Sequence, residues 1–176
     1  YMFFRAAAFN GDLSEWDVSR VTVMTDMFLG ASSFNGDISK WDVSSVTRMW
    51  SMFYDATSFD ADVSKWDVSR VTDMGYMFTK ATSFNGDIWT WDVCRVVIMD
   101  NMFVGATSFN HKLCGACWVD STARKDYMFE RSSGSISPTA CTASKMTFTP
   151  LSNQELKAAA TACLKLSPQG NCSNHA

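Results

Sequence analysis

Histidine is nearly missing from this chain of 176 residues: His111 and His175 are the only two, one in a turn and one beside the last residue. No Ser/His/Asp or Cys/His arrangement for nucleophilic catalysis can be assembled from them. Basic charge is not in excess either. Fifteen Lys and Arg against eighteen Asp and Glu leave a net charge of -3, so no basic surface is available to condense onto phosphates. That argues against nucleic acid as a partner. Long apolar runs are also lacking, because Asp, Ser or Thr interrupts each one within a few residues, and no segment here can span a bilayer. There is no initiator Met and no signal peptide. The chain opens on Tyr1-Met2-Phe3, which reads as the end of a repeat, so the expectation is a fragment of a longer polypeptide with any targeting segment upstream. No cysteine precedes Cys94.

What is present predicts a buried core within one domain's length. Hydrophobic residues make up 47% and charged residues 19%, which is globular rather than disordered composition. Aromatics at 14% and eleven methionines indicate that Phe and Met fill the places Leu takes in most cores. Six cysteines (Cys94, Cys114, Cys117, Cys141, Cys163, Cys172) crowd into the less repetitive second half. An even count there reads as a disulfide-stapled end in an oxidising, extracellular setting; six buried thiols in a cytosolic protein are the alternative. Asn171-Cys172-Ser173 has the form of a glycosylation sequon, but the central Cys makes it a poor one.

The chain repeats. Trp16, Trp41, Trp66 and Trp91 are 25 apart, each followed by Asp-Val, and Phe9, Phe34, Phe59, Phe84 and Phe109 share the spacing. So do Met24, Met49, Met74 and Met99, and the Met-Phe pairs ending at Phe3, Phe28, Phe53, Phe78 and Phe103. A fixed period of this length is the mark of a solenoid. A partial unit (1–8) precedes full units at 9–33, 34–58, 59–83 and 84–108, and a degenerate unit covers 109–134.

Within a unit, Asn35-Gly36-Asp37 is turn chemistry, since Asn and Gly accept left-handed backbone angles. Ile38-Ser39-Lys40-Trp41 is short enough for a brief strand. From Val46 to Phe53 apolar residues fall at i, i+3, i+6 and i+7, the face of a short helix that Asp42 or Ser44 is placed to cap. The expected fold is thus an α/β solenoid with a short strand and a short helix per unit. Stacking is expected to bury Phe34, Ile38, Trp41, Val43, Val46, Met49, Met52, Phe53, Ala56 and their equivalents at about the 4.8 Å spacing of parallel strands. The fifth unit departs at Cys114-Gly115-Ala116-Cys117, and Trp118 follows Trp91 by 27. Residues 135–176 are expected to form a Ser/Thr-rich coil and a helix from the capping box Ser152-Asn153-Gln154-Glu155 to about Leu164. That helix would cover the open end of the core, as solenoids require.

The string Phe-Asn-Gly-Asp-Ile-Ser-x-Trp-Asp-Val-Ser-x-Val-Thr-x-Met-x-x-Met-Phe resembles the repeat of BspA-like leucine-rich-repeat surface proteins, closely over 1–108 and loosely over 109–130. The tail from Glu155 to Cys163, followed by Ser167 to Cys172, resembles a segment between repeat blocks in algal members. The resemblance implies a solenoid at the cell surface or secreted, used for attachment or protein contact, and no enzyme.

Two carboxylate columns carry the most charge: Asp12, Asp37, Asp62 and Asp87, and Asp17, Asp42, Asp67 and Asp92. A Ca²⁺ ladder is one reading, with Asp37, Asp42, Asp62, Asp67, Asp87 and Asp92 as weak ligand candidates. The favoured reading is that each accepts N–H bonds in its own turn or caps its helix, with no bound metal. Cys114-Gly115-Ala116-Cys117 lacks the βαβ setting of a redox pair and the second ligand pair of a zinc site, so it is expected to staple. Cys94 stands in the column of Ser19, Ser44 and Ser69, which places its partner one layer up, near Cys117. Trp50, Tyr54, Tyr76 and Trp89 interrupt solvent-facing columns of small polar residues and are the candidate binding residues. The reading is a non-catalytic adhesion or protein-interaction module, with no cofactor. Expected partners are other proteins or surface glycans, further repeats of the same polypeptide, or a second copy. Two rivals stand beside it: a rigid spacer or filament subunit of a coat, and a carbohydrate- or Ca²⁺-dependent surface binder.

Overall fold

The computed structural model describes Tyr1–Cys141. The expected helix over 152–164, Cys163, Cys172 and His175 lie outside the described residues. Through the described part, equivalent residues of successive units lie side by side. Parallel bridges join Val23 to Arg48, Arg48 to Asp73, Asp73 to Ile98 and Ile98 to Arg124. Each unit is therefore one layer, and its neighbours in sequence are its neighbours in space.

Two sets of interactions hold the layers together. The first is a backbone ladder in which alternate N–H groups of one layer donate to the next. Met49, Ser51, Phe53 and Asp55 donate to the carbonyls of Asp73, Gly75, Met77 and Thr79 at 2.8–2.9 Å. The intervening residues of the second unit, Arg48, Trp50, Met52 and Tyr54, accept from Met24, Asp26, Phe28 and Gly30 of the layer before. The second is the core. Phe34, Ile38, Trp41, Val43, Val46, Met49, Met52, Phe53 and Ala56 are all buried, as are their third-unit equivalents. Phe28, Phe53, Phe78, Phe103 and Phe129 stack with centroids 5.5–5.6 Å apart and near-parallel planes. Beside them runs a second column, Phe34, Phe59, Phe84 and Phe109, at 5.9–6.1 Å. Each fully buried ring removes enough apolar surface from water to contribute roughly 1.5–3 kcal/mol.

The short helix expected at Val46–Phe53 is absent. That stretch is a run of tight turns broken by one bridge at Arg48. Met52 N–H donates to Met49 O and Ala56 N–H to Phe53 O, while Ser51 and Asp55 have φ of 51° and 57°. Left-handed backbone at the third turn position belongs to type II turns and breaks a right-handed helix. The column positions recur at Asp26, Tyr76, Asn101 and Tyr127, and at Arg5, Gly30, Lys80, Gly105 and Arg131. Because alternate N–H groups point to the neighbouring layer and the ones between them close these turns, none is left for bonds four residues back. The expected strand at Ile38–Trp41 is likewise a turn, closed by Trp41 N–H on Ile38 O at 3.2 Å. The one bridging residue of each unit thus lies where the helix was expected.

The Asn-Gly pairs also behave differently from expectation. Asn35 and Gly36 are not among the left-handed residues. Asn35 instead accepts from Asp60 N–H through its side chain and donates its own N–H to the Asn10 side chain, and the relay continues through Asn85 to Asn110. Gly36 is small because a Cβ there would come 3.2 Å from Gly11 O and 3.0 Å from the Phe34 ring. In the fifth unit the added residues form a four-residue helical turn, α1 (Ala116–Val119), behind strand β1 (Lys112–Leu113). β1 pairs in parallel with β2 (Ser135–Ile136).

Candidate functional site

The ladder side of the stack is where the repeat loses its uniformity. Its bridged column reads Val23, Arg48, Asp73, Ile98, Arg124. The column two residues on reads Thr25, Trp50, Gly75, Asp100, Asp126, and the next reads Asp26, Ser51, Tyr76, Asn101, Tyr127. Aromatic, aliphatic and oppositely charged side chains gather there over a base of near-identical Met and Phe columns.

Gly75 organises the centre of this face. A Cβ at Gly75 would fall 2.7 Å from the Trp50 ring, so the indole lies across the backbone of the next layer where no side chain stands. Tyr76 then meets Trp50 with centroids 4.9 Å apart and planes at 50°. Gly75 N–H donates to Asp73 Oδ1 at 3.0 Å, which brings that carboxylate beside the covered backbone. Burial raises the Asp73 pKa, opposed by the Gly75 N–H and by the charges of Arg48 and Arg124, while Asp100 adds to the rise. One layer on, Asp100 is buried and fully used: Arg124 Nε donates to Oδ2, and Asp126 N–H donates to Oδ1 at 3.0 Å. Among the described residues the ion pairs are Arg124–Asp100 and Arg131–Glu130, so Asp73 has no Lys or Arg within pairing distance. The repeat-breaking residues Asp73, Gly75, Asp100 and Arg124 signalled this face in the sequence but were not among the candidates drawn from it.

The four aromatic candidates do not converge. Trp50 and Tyr76 touch, whereas the Tyr54 ring is covered by Lys80 Nζ at 5.8 Å. Trp89 packs against the core and borders a separate recess of about 310 Å³ lined also by Trp91, Gly115 and Cys117.

The aspartate columns spend their oxygens locally. Asp12, Asp37 and Asp62 accept the N–H of Ser14, Ser39 and Ser64 at 2.9 Å. Asp17, Asp42 and Asp67 accept from Ser19, Ser44 and Ser69 at 3.0 Å, and Asp92 from Cys94 at 3.1 Å. The hydroxyl and N–H of the serine two residues on hold Asp17, Asp37, Asp42, Asp62 and Asp67 below the usual carboxylate range. For Asp12 the N–H of Ser14 is the leading cause. Among the described residues Asp87 accepts no such N–H bond, and Trp89 stands where the other units of its column have serine. Among the described residues no three carboxylates of these columns come within 4.8 Å; the one such cluster is Asp92, Cys94 and Cys117. Its two sulfurs are joined in a disulfide and have no thiolate to offer a metal.

Cys94–Cys117 ties the fourth unit to the fifth with Cα atoms 4.7 Å apart, and Cys114–Cys141 spans 4.9 Å. His111 Nε2 lies 2.9 Å from Asn85 O, a group that only accepts, so this nitrogen carries the proton and is occupied. Among the described residues no helix is long and apolar enough to cross a membrane.

No curated protein and no solved structure matches the chain. Two overlapping stretches, residues 1–76 and 37–138, match the family described as "Mycoplasma protein of unknown function, DUF285". These matches cover well over half of the sequence, and the chain belongs to that repeat family.

Proposed function

We propose that this chain is a non-catalytic, secreted or cell-surface module, a leucine-rich-repeat-like solenoid of the BspA-like kind, that binds other proteins through its ladder face. One observation carries the reading. Columns that stack the layers are nearly uniform, whereas the ladder-face columns differ at almost every level and hold Trp50, Tyr76, Ile98 and Tyr127, the last 71% exposed, with Val97, 60% exposed, beside Ile98 in the chain. A column free of packing demands can vary without loss of stability, and exposed aromatics among unlike charges are the composition of contact surfaces. Disulfides between consecutive layers support an oxidising compartment.

The test is capture of cell-surface proteins by the intact chain and by a Tyr127→Ala/Val97→Ser variant of unchanged melting temperature. Capture lost with the ladder-face variant supports the reading. Equal capture by both places the contact elsewhere.

A spacer or filament role is the second reading. Sedimentation that shifts to larger species with concentration, without a foreign partner, would support it.

A further inference from the structure

We propose that the notch formed by Trp50, Tyr76 and Asp73 receives a lysine or arginine side chain presented by a partner protein. The inference rests on the reading of the ladder face as protein-binding and assigns the chemistry of one contact within it.

Three features meet there. The first is an aromatic platform that the chain does not use itself. Cation–aromatic contacts among the described residues are Arg5 over Phe4 and Lys80 over Tyr54, and no cation lies over Trp50 or Tyr76. Trp is the best ring for a cation, and desolvation strengthens the attraction. The second is a carboxylate without an ion-pair partner. Asp73 is half-buried and accepts one backbone N–H, from Gly75, the residue that the Trp50 ring covers. Arg48 and Arg124 act on it only from beyond pairing distance, and Arg124 is committed to Asp100. The third is the local charge. Arg48 and Arg124 face Asp73, Asp100 and Asp126, leaving the patch one negative charge in excess. An anion would meet a partly desolvated carboxylate, and a neutral side chain would leave that carboxylate unpaired. A cation satisfies both the carboxylate and the tilted rings.

The notch is also specific in its construction. It exists only at this level, because Gly75 is the one position in its column that lets the indole lie down; Thr25, Asp100 and Asp126 carry side chains there.

The experiment titrates the intact chain with a Gly-Gly-Lys-Gly-Gly peptide, blocked at both ends, and with the same peptide acetylated on the lysine, following the lysine side-chain resonances of the peptide by NMR. The charged peptide is expected to bind at least 10-fold more tightly. Asp73→Asn and Trp50→Ala are each expected to weaken it at least 5-fold, and Lys65→Ala to leave it unchanged. Gly75→Ala, which displaces the ring without removing either partner, is expected to weaken it as well. Equal binding of the two peptides, or charged-peptide binding that survives Asp73→Asn, overturns the inference. If the peptide fails while capture of surface proteins still depends on Tyr127 and Val97, the cation notch falls and the ladder-face reading stands. If both fail, both fall.

Discussion

The indole N–H of Trp66 donates to the backbone carbonyl of Ile38, 28 residues earlier, at 3.1 Å. Trp41, Trp91 and Trp118 make the same bond to Leu13, Val63 and Ile88. Each buried indole therefore fills the core of its own layer and satisfies an acceptor of the layer before it. Trp16 has no such acceptor among the described residues.

Trp66→Phe should consequently destabilise by about 1–3 kcal/mol, combining the lost indole bond to Ile38 O, which keeps its Trp41 N–H, with the lost ring volume. Trp16→Phe should cost less than about 1 kcal/mol, since its ring is 40% exposed and its N–H has no partner to lose. Urea unfolding midpoints at constant slope decide it. Equal losses would mean that the indole bonds contribute nothing.

The left-handed columns make opposite predictions for two substitutions. Asp55 is exposed at φ 57°, so Asp55→Gly should stabilise by about 0.5–1 kcal/mol by removing the Cβ clash. Gly105 occupies the same column at φ 68°, and Gly105→Val should cost at least about 1 kcal/mol. Thermal melts of the two variants measure both signs.

Cys94–Cys117 and Cys114–Cys141 close spans of 23 and 27 residues, for which chain entropy gives roughly 3–4 kcal/mol each. Reduction should lower the melting temperature markedly. Labelling of the denatured, unreduced chain followed by mass spectrometry should find these four cysteines unmodified. Labelling at Cys94 or Cys117 would also remove the argument for an oxidising compartment.

Acid should weaken the fold. Asp12, Asp17, Asp37, Asp42, Asp62 and Asp67 have depressed folded-state values, so their contribution is fully present above the ordinary carboxylate value near 3.9 and is lost as pH falls through the lower folded values. Asp26 and Asp73 run the other way: burial raises them, so their ionisation costs stability as pH rises and protonation restores it. The depressed group is the larger, and the urea midpoint should fall below about pH 4. Asp42→Asn should flatten that fall and Asp73→Asn should steepen it.

The period was fully legible in the sequence, and with it the buried columns, because stacking identical apolar residues is the only way a unit this short can hide them. The position of Cys94 in a serine column also located its partner. What the spacing did not encode was hydrogen-bond direction. Apolar residues at Val46, Met49, Met52 and Phe53 suit two turns of helix and two successive type II turns equally well. Gly30, Gly105, Asn101, Asp26 and Asp55 are residues that tolerate left-handed backbone, whereas Ser51 and Tyr76 gave no such sign. The Trp50–Gly75 contact was hidden for a related reason. It joins residues of different layers at the one level where the column is empty, so neither residue marks it alone.

The one-way register of the ladder has a mechanical consequence. Each layer is held only by the layers before and after it, so tension along the stack would detach units singly rather than break the whole. Each release of 25 residues would lengthen the chain by up to about 85 Å. The Cys94–Cys117 bond sets a limit to this, since it bridges two consecutive layers and shortens the slack that they can give. The chain would extend in equal steps from its first units and stop yielding at the fourth.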